Sequence, residues 1–131
     1  MSQVRRVIGI VVGVLIVLSA VAHSALGGAT IRASLAAAGV PEDLLQGALV
    51  GWHFGGAAMF AFGAIVLHTF ARRREAGGVS LVPARIVAMT YLLFGAAALV
   101  VSEFDPFFLV FIAPGALLAL AAFPRDPAAS R

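Results

Sequence analysis

The sequence predicts an all-α polytopic membrane protein: an antiparallel four-helix transmembrane bundle with both termini cytoplasmic. Three observations predict it. Four long apolar runs, Val4–Ala22, Gly47–Ala71, Val82–Ser102 and Phe107–Phe123, fill most of the 131 residues. Each is near the roughly 20 residues that an α-helix needs to cross about 30 Å of hydrocarbon. The composition, 62% hydrophobic and 11% charged, lacks the polar surface that keeps a domain of this size in water. The arginines gather in the gaps on one side of the runs.

Those arginines orient the chain. With the amino terminus inside, the cytoplasmic segments hold Arg5, Arg6, Arg72, Arg73, Arg74, Arg85, Arg125 and Arg131, leaving only Arg32 outside. Glu42, Asp43, Glu103 and Asp105 fall on the outer side. Retention of positive charge in the cytoplasm is the governing rule, and the carboxylates support it weakly. The expected location is a bacterial inner membrane. Basic groups that flank apolar runs form no stripe on a folded face, so a nucleic-acid partner is not expected. The absence of cysteine removes disulfides, thiolate metal sites and cysteine nucleophiles.

A single domain is expected over 1–131, with spans at about 4–24, 47–71, 82–102 and 107–123. Arg5 and Arg6 followed by an apolar stretch resemble a secretory signal, with Ala20-Val21-Ala22 as a cleavage site. Val7 to Ala22 is long for such a segment, and a retained helix is expected. Gly9, Gly13, Ala20 and Gly27 form a small-residue stripe that allows close helix approach in lipid. Gly27-Gly28 is expected to end this helix between Ser24 and Gly28.

A short outer surface helix is expected at 30–39, with Ile31, Leu35 and Ala38 on its apolar side. Pro41, Glu42 and Asp43 then suit the first turn of a helix that runs to about Arg74. Ala76 to Ser80 is a turn, with Ser80 as a cap. The loop from Glu103 to Pro106 is so short that the last two spans must form a hairpin, with Asp105 capping the second. Pro114 predicts a kink. The tail from Pro124 to Arg131 is expected to fray. The Arg72–Arg74 cluster reads as a topology anchor that attracts anionic lipid.

Ionisable groups near membrane depth are the candidates for function. His23 and His53 fall on the outer side of adjacent spans, with Glu103 and Asp105 at the same level. Gly51, Gly55, Gly56, Ala57 and Ala58 leave room beside the His53 imidazole. That room can hold a flat cofactor, and His23 and His53 can ligate haem b from two faces. His23, His53 and Glu103 can alternatively hold a divalent metal, or a histidine and a carboxylate can share a proton at a quinone site. Each has a structural rival. The glycines suit close packing, Trp52 suits an interfacial anchor, Asp105 a cap, and His68 a headgroup-level position.

His23 with the glycine pair that follows it, and Trp52-His53 opening the second span, resemble a group of small uncharacterised bacterial four-helix integral membrane proteins. The resemblance implies a four-span fold and a shared histidine pair, and carries no activity. Small multidrug transporters fit poorly, because they are expected to place a glutamate in the first helix and Val4–Ala22 has no acidic residue.

The function expected is therefore that of a non-enzymatic accessory or interaction subunit with an outer-side histidine pair. Its partners would be the lipid bilayer, further copies of itself, or subunits of a membrane complex. A redox protein using haem b, copper, another metal or quinone is the alternative from a different class. A small transporter is disfavoured, since no charge falls at the midplane of any span.

Overall fold

The computed structural model describes residues 2–71 and 80–123. The Arg72–Arg74 cluster, the Ala76–Val79 part of the expected turn and the tail from Pro124 lie outside the described residues. Among those described, every regular element is helical: α1 (Gln3–Ala22), a π-helical segment (His23–Gly27), α2 (Gly28–Ala37), α3 (Glu42–Ala71), α4 (Val82–Val101), a 3-10 turn (Pro106–Phe108) and α5 (Leu109–Ala122). Three helices are long and apolar enough to cross a membrane, namely Gln3–Ala37, Glu42–Ala71 and Val82–Val101. The fourth, α5, has 14 residues and spans only about 21 Å at 1.5 Å per residue. The last crossing expected from sequence is thus the short one.

The expected end of the first helix at Gly27-Gly28 is not observed. Gly28 has φ −61 and ψ −41, an ordinary right-handed helical conformation, and α1 continues through the π segment into α2. A glycine pair ends a helix only when nothing rewards continuing it, and here the missing side chains admit Trp52 and His53 from α3. The helix at 30–39 exists, but as the extension of α1 rather than a separate surface helix. Ile31 and Leu35 are half-buried against α3, while Ala38 is exposed.

α2 stops at Gly39, whose φ of +71 is the left-handed conformation that a side chain disfavours. Gly39 N–H donates to Ala36 O at 3.1 Å and Val40 N–H to Leu35 O at 3.1 Å, which satisfies the free carbonyls of the last turn. Pro41 follows, and Glu42 and Asp43 occupy the first turn of α3 as expected. The second hairpin is also capped from within. Asp105 accepts from Phe107 N–H at 2.9 Å, and Ser80 accepts from Val82 N–H at 3.3 Å. α5 runs through Pro114.

α1 and α3 pack antiparallel through glycine. A Cβ on Gly13 would lie 2.8 Å from Leu67, one on Gly63 would lie 2.6 Å from Val17, and Gly9 sits directly against the Phe70 ring. α4 and α5 repeat the device, with Gly95 against Ile112 and Gly115 against Tyr91 and Leu92. α5 also packs on α1, whereas α3 and α4 meet more sparsely. Val12, Ile16, Val66, Phe70, Val87 and Leu118 fill the core between the two hairpins.

One end of the bundle is closed by arginine. Arg5 donates through Nε to Ala121 O at 2.9 Å and through Nη2 to the same carbonyl. Arg6 donates to Phe70 O at 3.2 Å and Ala71 O at 3.3 Å. Arg85 donates to Ala122 O at 3.0 Å and lies 5.2 Å from the centre of the Phe123 ring. These acceptors lie in the last described turns of α3 and α5, where positive charge is favoured. Three of the arginines expected to orient the chain thus also bind helix ends.

Close packing makes the glycines unequal. Gly63→Ala forces a Cβ to about van der Waals overlap with the Val17 backbone and should destabilise the bundle by about 1–3 kcal/mol. Gly47→Ala meets open space and should be neutral or stabilising by up to about 1 kcal/mol. Thermal unfolding of both variants in the same detergent, followed by circular dichroism, checks the contrast.

Candidate functional site

The residues singled out at the other end of the bundle meet across the α1–α3 seam. His23 opens the π segment, where one extra residue per turn is accommodated and Gly28 N–H donates to His23 O. Trp52 stacks flat on the His23 ring, with centroids 4.2 Å apart and planes 5° from parallel. Trp52 Nε1 donates to His23 O at 2.7 Å, and His23 Nε2 lies 3.1 Å from Trp52 O. If the His23 ring carries its proton on Nε2, each residue donates to the other's main-chain carbonyl.

Glycine makes this arrangement fit. A Cβ on Gly27 would lie 2.7 Å from Trp52 Cζ2, one on Gly28 would lie 3.0 Å from His53 Cε1, and one on Gly55 would lie 3.5 Å from His23 Nε2. Gly56 sits against Ser24 Oγ. Gly27, Gly28, Gly55 and Gly56 therefore serve close helix approach, whereas a Cβ on Gly51 would meet open space.

The two histidines part company here. His23 is half-buried, with one ring face covered by Trp52 and Nε2 engaged. His53 is exposed and stands between two shallow grooves on the α1–α3 seam. One, of about 520 Å³, runs past Ser24, Gly56 and Phe60; the other, of about 430 Å³, runs past Arg32, Gln46 and Leu49. The expected three-residue metal set of His23, His53 and Glu103 is not assembled: no three His, Asp or Glu residues come together in a metal-holding group among the described residues. Glu103 belongs to the α4–α5 loop, where it and Phe104 take positive φ values of 55 and 67. Asp105 acts as a cap.

Haem b ligation by His23 and His53 from two faces meets a related obstacle. His23 Nε2 faces the Trp52 carbonyl, so ligation through that nitrogen would cost this contact. Trp52 proves to be an interhelical contact as well as an aromatic at this end. Sequence reasoning missed the stack, although the pairing of Gly27 with Trp52 in an antiparallel register offered a signal. Arg32 was not tied to Ser24 and Gln46 by sequence, because it joins them only when α1 continues into α2. His68 is exposed in the last turn of α3.

Comparison with protein-family models, curated proteins and solved structures finds no match for this chain.

The seam predicts a specific coupling. Gly56→Ala places a methyl group on Ser24 Oγ and should destabilise the protein, while Ser24→Ala alone should cost less than about 1 kcal/mol. Combining them should recover part of the Gly56→Ala loss, because the clashing oxygen is gone. A double-mutant cycle of unfolding free energies measures the coupling, which should be at least about 0.5 kcal/mol.

Proposed function

We propose that this chain is a non-enzymatic accessory or interaction subunit of a bacterial inner membrane, crossing it four times with both termini inside. The observation that carries this reading is the division of its surface. Large apolar side chains such as Val4, Leu18, Val50, Phe54, Leu93 and Val101 lie exposed, more than a water-soluble protein presents, and lipid or partner helices would cover them. The polar groups that could do chemistry are few, and most are committed to holding helices together. His53 is not among these, since its ring faces the grooves.

The arginine end would face the cytoplasm, as its charge favours. α5 is short for a full crossing, and a neighbouring helix or a locally thinned bilayer would accommodate it. The resemblance to small four-helix bacterial membrane proteins agrees with this reading and adds no activity. The haem, metal or quinone alternative would rest on His53 as the accessible nitrogen.

Two measurements test the proposal. The chain has no cysteine, so single cysteines report cleanly on topology. Ala38→Cys should react with an impermeant maleimide added outside, and Ser80→Cys only after the membrane is opened; the reverse pattern overturns the topology. Protein extracted in a mild non-ionic detergent should run as an assembly larger than one chain in its micelle and show no Soret absorbance. A wholly monomeric protein overturns the interaction reading, and a Soret band lost in His53→Ala would replace it with the redox one.

A further inference from the structure

The two grooves beside His53 share Ser24, Ala25 and His53, and so form one trough along the α1–α3 seam. Its walls are two helical stripes that face each other in antiparallel register. Ala20, Ser24, Gly28 and Arg32 follow the four-residue helical spacing along α1, the π segment and α2. Phe60, Gly56, His53, Leu49 and Gln46 recur at alternating four- and three-residue steps along α3 in the opposite direction. Gln46 and Phe60 are 14 residues apart, roughly 21 Å along the helix.

Polarity is graded along this length. Arg32 and Gln46 stand at one end, Ser24 and His53 in the middle, and Ala20, Val21, Ala57 and Phe60 at the other. The Arg32 guanidinium differs from those of Arg5, Arg6 and Arg85, which donate to helix-end carbonyls at the opposite end of the bundle. The neighbouring Glu42 accepts from the Gln46 amide at 2.6 Å. Counted from Arg5, Val21 lies about 24 Å up the helix and Arg32 about 40 Å. A hydrocarbon layer of about 30 Å then places the apolar half of the trough among acyl chains and Arg32 in the headgroup layer.

We infer that this trough binds one anionic phospholipid of the outer leaflet, with its phosphate at Arg32 and an acyl chain lying past His53 against Ala57 and Phe60. The inference rests on the membrane topology proposed above. Arg32 supplies the charge and a forked set of donors suited to phosphate. Ser24 and His53 supply polar contacts near the glycerol level. The small side chains of Ala20, Ala25, Ala29 and Ala57 leave a shallow depression along the α1–α3 surface.

The test is native mass spectrometry of the full chain, with added phosphatidylglycerol or phosphatidylcholine of the same acyl composition. One phosphatidylglycerol should be retained about fivefold more than phosphatidylcholine, the selectivity expected of a single arginine at a membrane surface. Arg32→Gln should reduce that preference while still retaining some lipid of either kind. Ala57→Leu, which fills the apolar half, should reduce retention of both, with circular dichroism unchanged. Equal retention of the two lipids by the wild type, an Arg32→Gln variant that keeps the full preference, or an unaffected Ala57→Leu variant would each overturn the inference. Selective retention of palmitate instead of phosphatidylglycerol would overturn it in favour of a free amphiphile. Correct cysteine labelling without lipid selectivity removes the trough proposal alone, whereas reversed labelling removes the topology beneath it.

Discussion

The approach of α1 to α3 along a line of glycines is the constraint from which the rest of this molecule follows. Gly9, Gly13, Gly63, Gly56, Gly27 and Gly28 each face a side chain or main-chain atom of the other helix at a distance that leaves no room for a methyl group in ordinary contact. In lipid, hydrophobic exclusion does little to drive helices together, so dispersion contacts of this kind and hydrogen bonds must do it. The seam runs nearly the whole length of both helices and fixes their register. A slip of one turn would set Trp52 against His23 or Ile31 instead of Gly27.

That register explains why two histidines with similar sequence surroundings have different fates. His23 is held between the π turn and Trp52, its ring covered and one nitrogen facing a carbonyl. A metal or haem bond at Nε2 would cost that contact. His53, one position after the residue that covers its counterpart, points along the seam to the trough over Gly28. Helical geometry turns successive residues by about 100°, so Trp52 and His53 cannot do the same work.

The helical class, the positions of the four apolar runs and most caps were legible in the sequence, because hydropathy and capping act over one or two turns. Asp105, Ser80 and the first turn of α3 are examples. The small-residue stripe of the first helix was legible too, and Gly9, Gly13 and Ala20 are buried. What failed was Gly27-Gly28, where a local rule for helix ends lost to the long-range contact with Trp52 and His53. The candidate site was only half legible. Sequence brought His23 and His53 to one end, but it gave no means of seeing the Trp52 stack or of joining Arg32 to His53. Those depend on an uninterrupted helix and on a pairing between residues about thirty positions apart. Glu103 was drawn in by level alone, and sharing a level is weaker than sharing a seam.

The arginine clasp carries a consequence for biogenesis. Arg5 finds its acceptor on Ala121, 116 positions later in the chain. α1 therefore waits for α5 to be made before its guanidinium can dock. In the topology proposed above, that cation would until then stay hydrated at the bilayer face and help to hold the chain's orientation. One side chain would thus serve early as a signpost and finally as a latch.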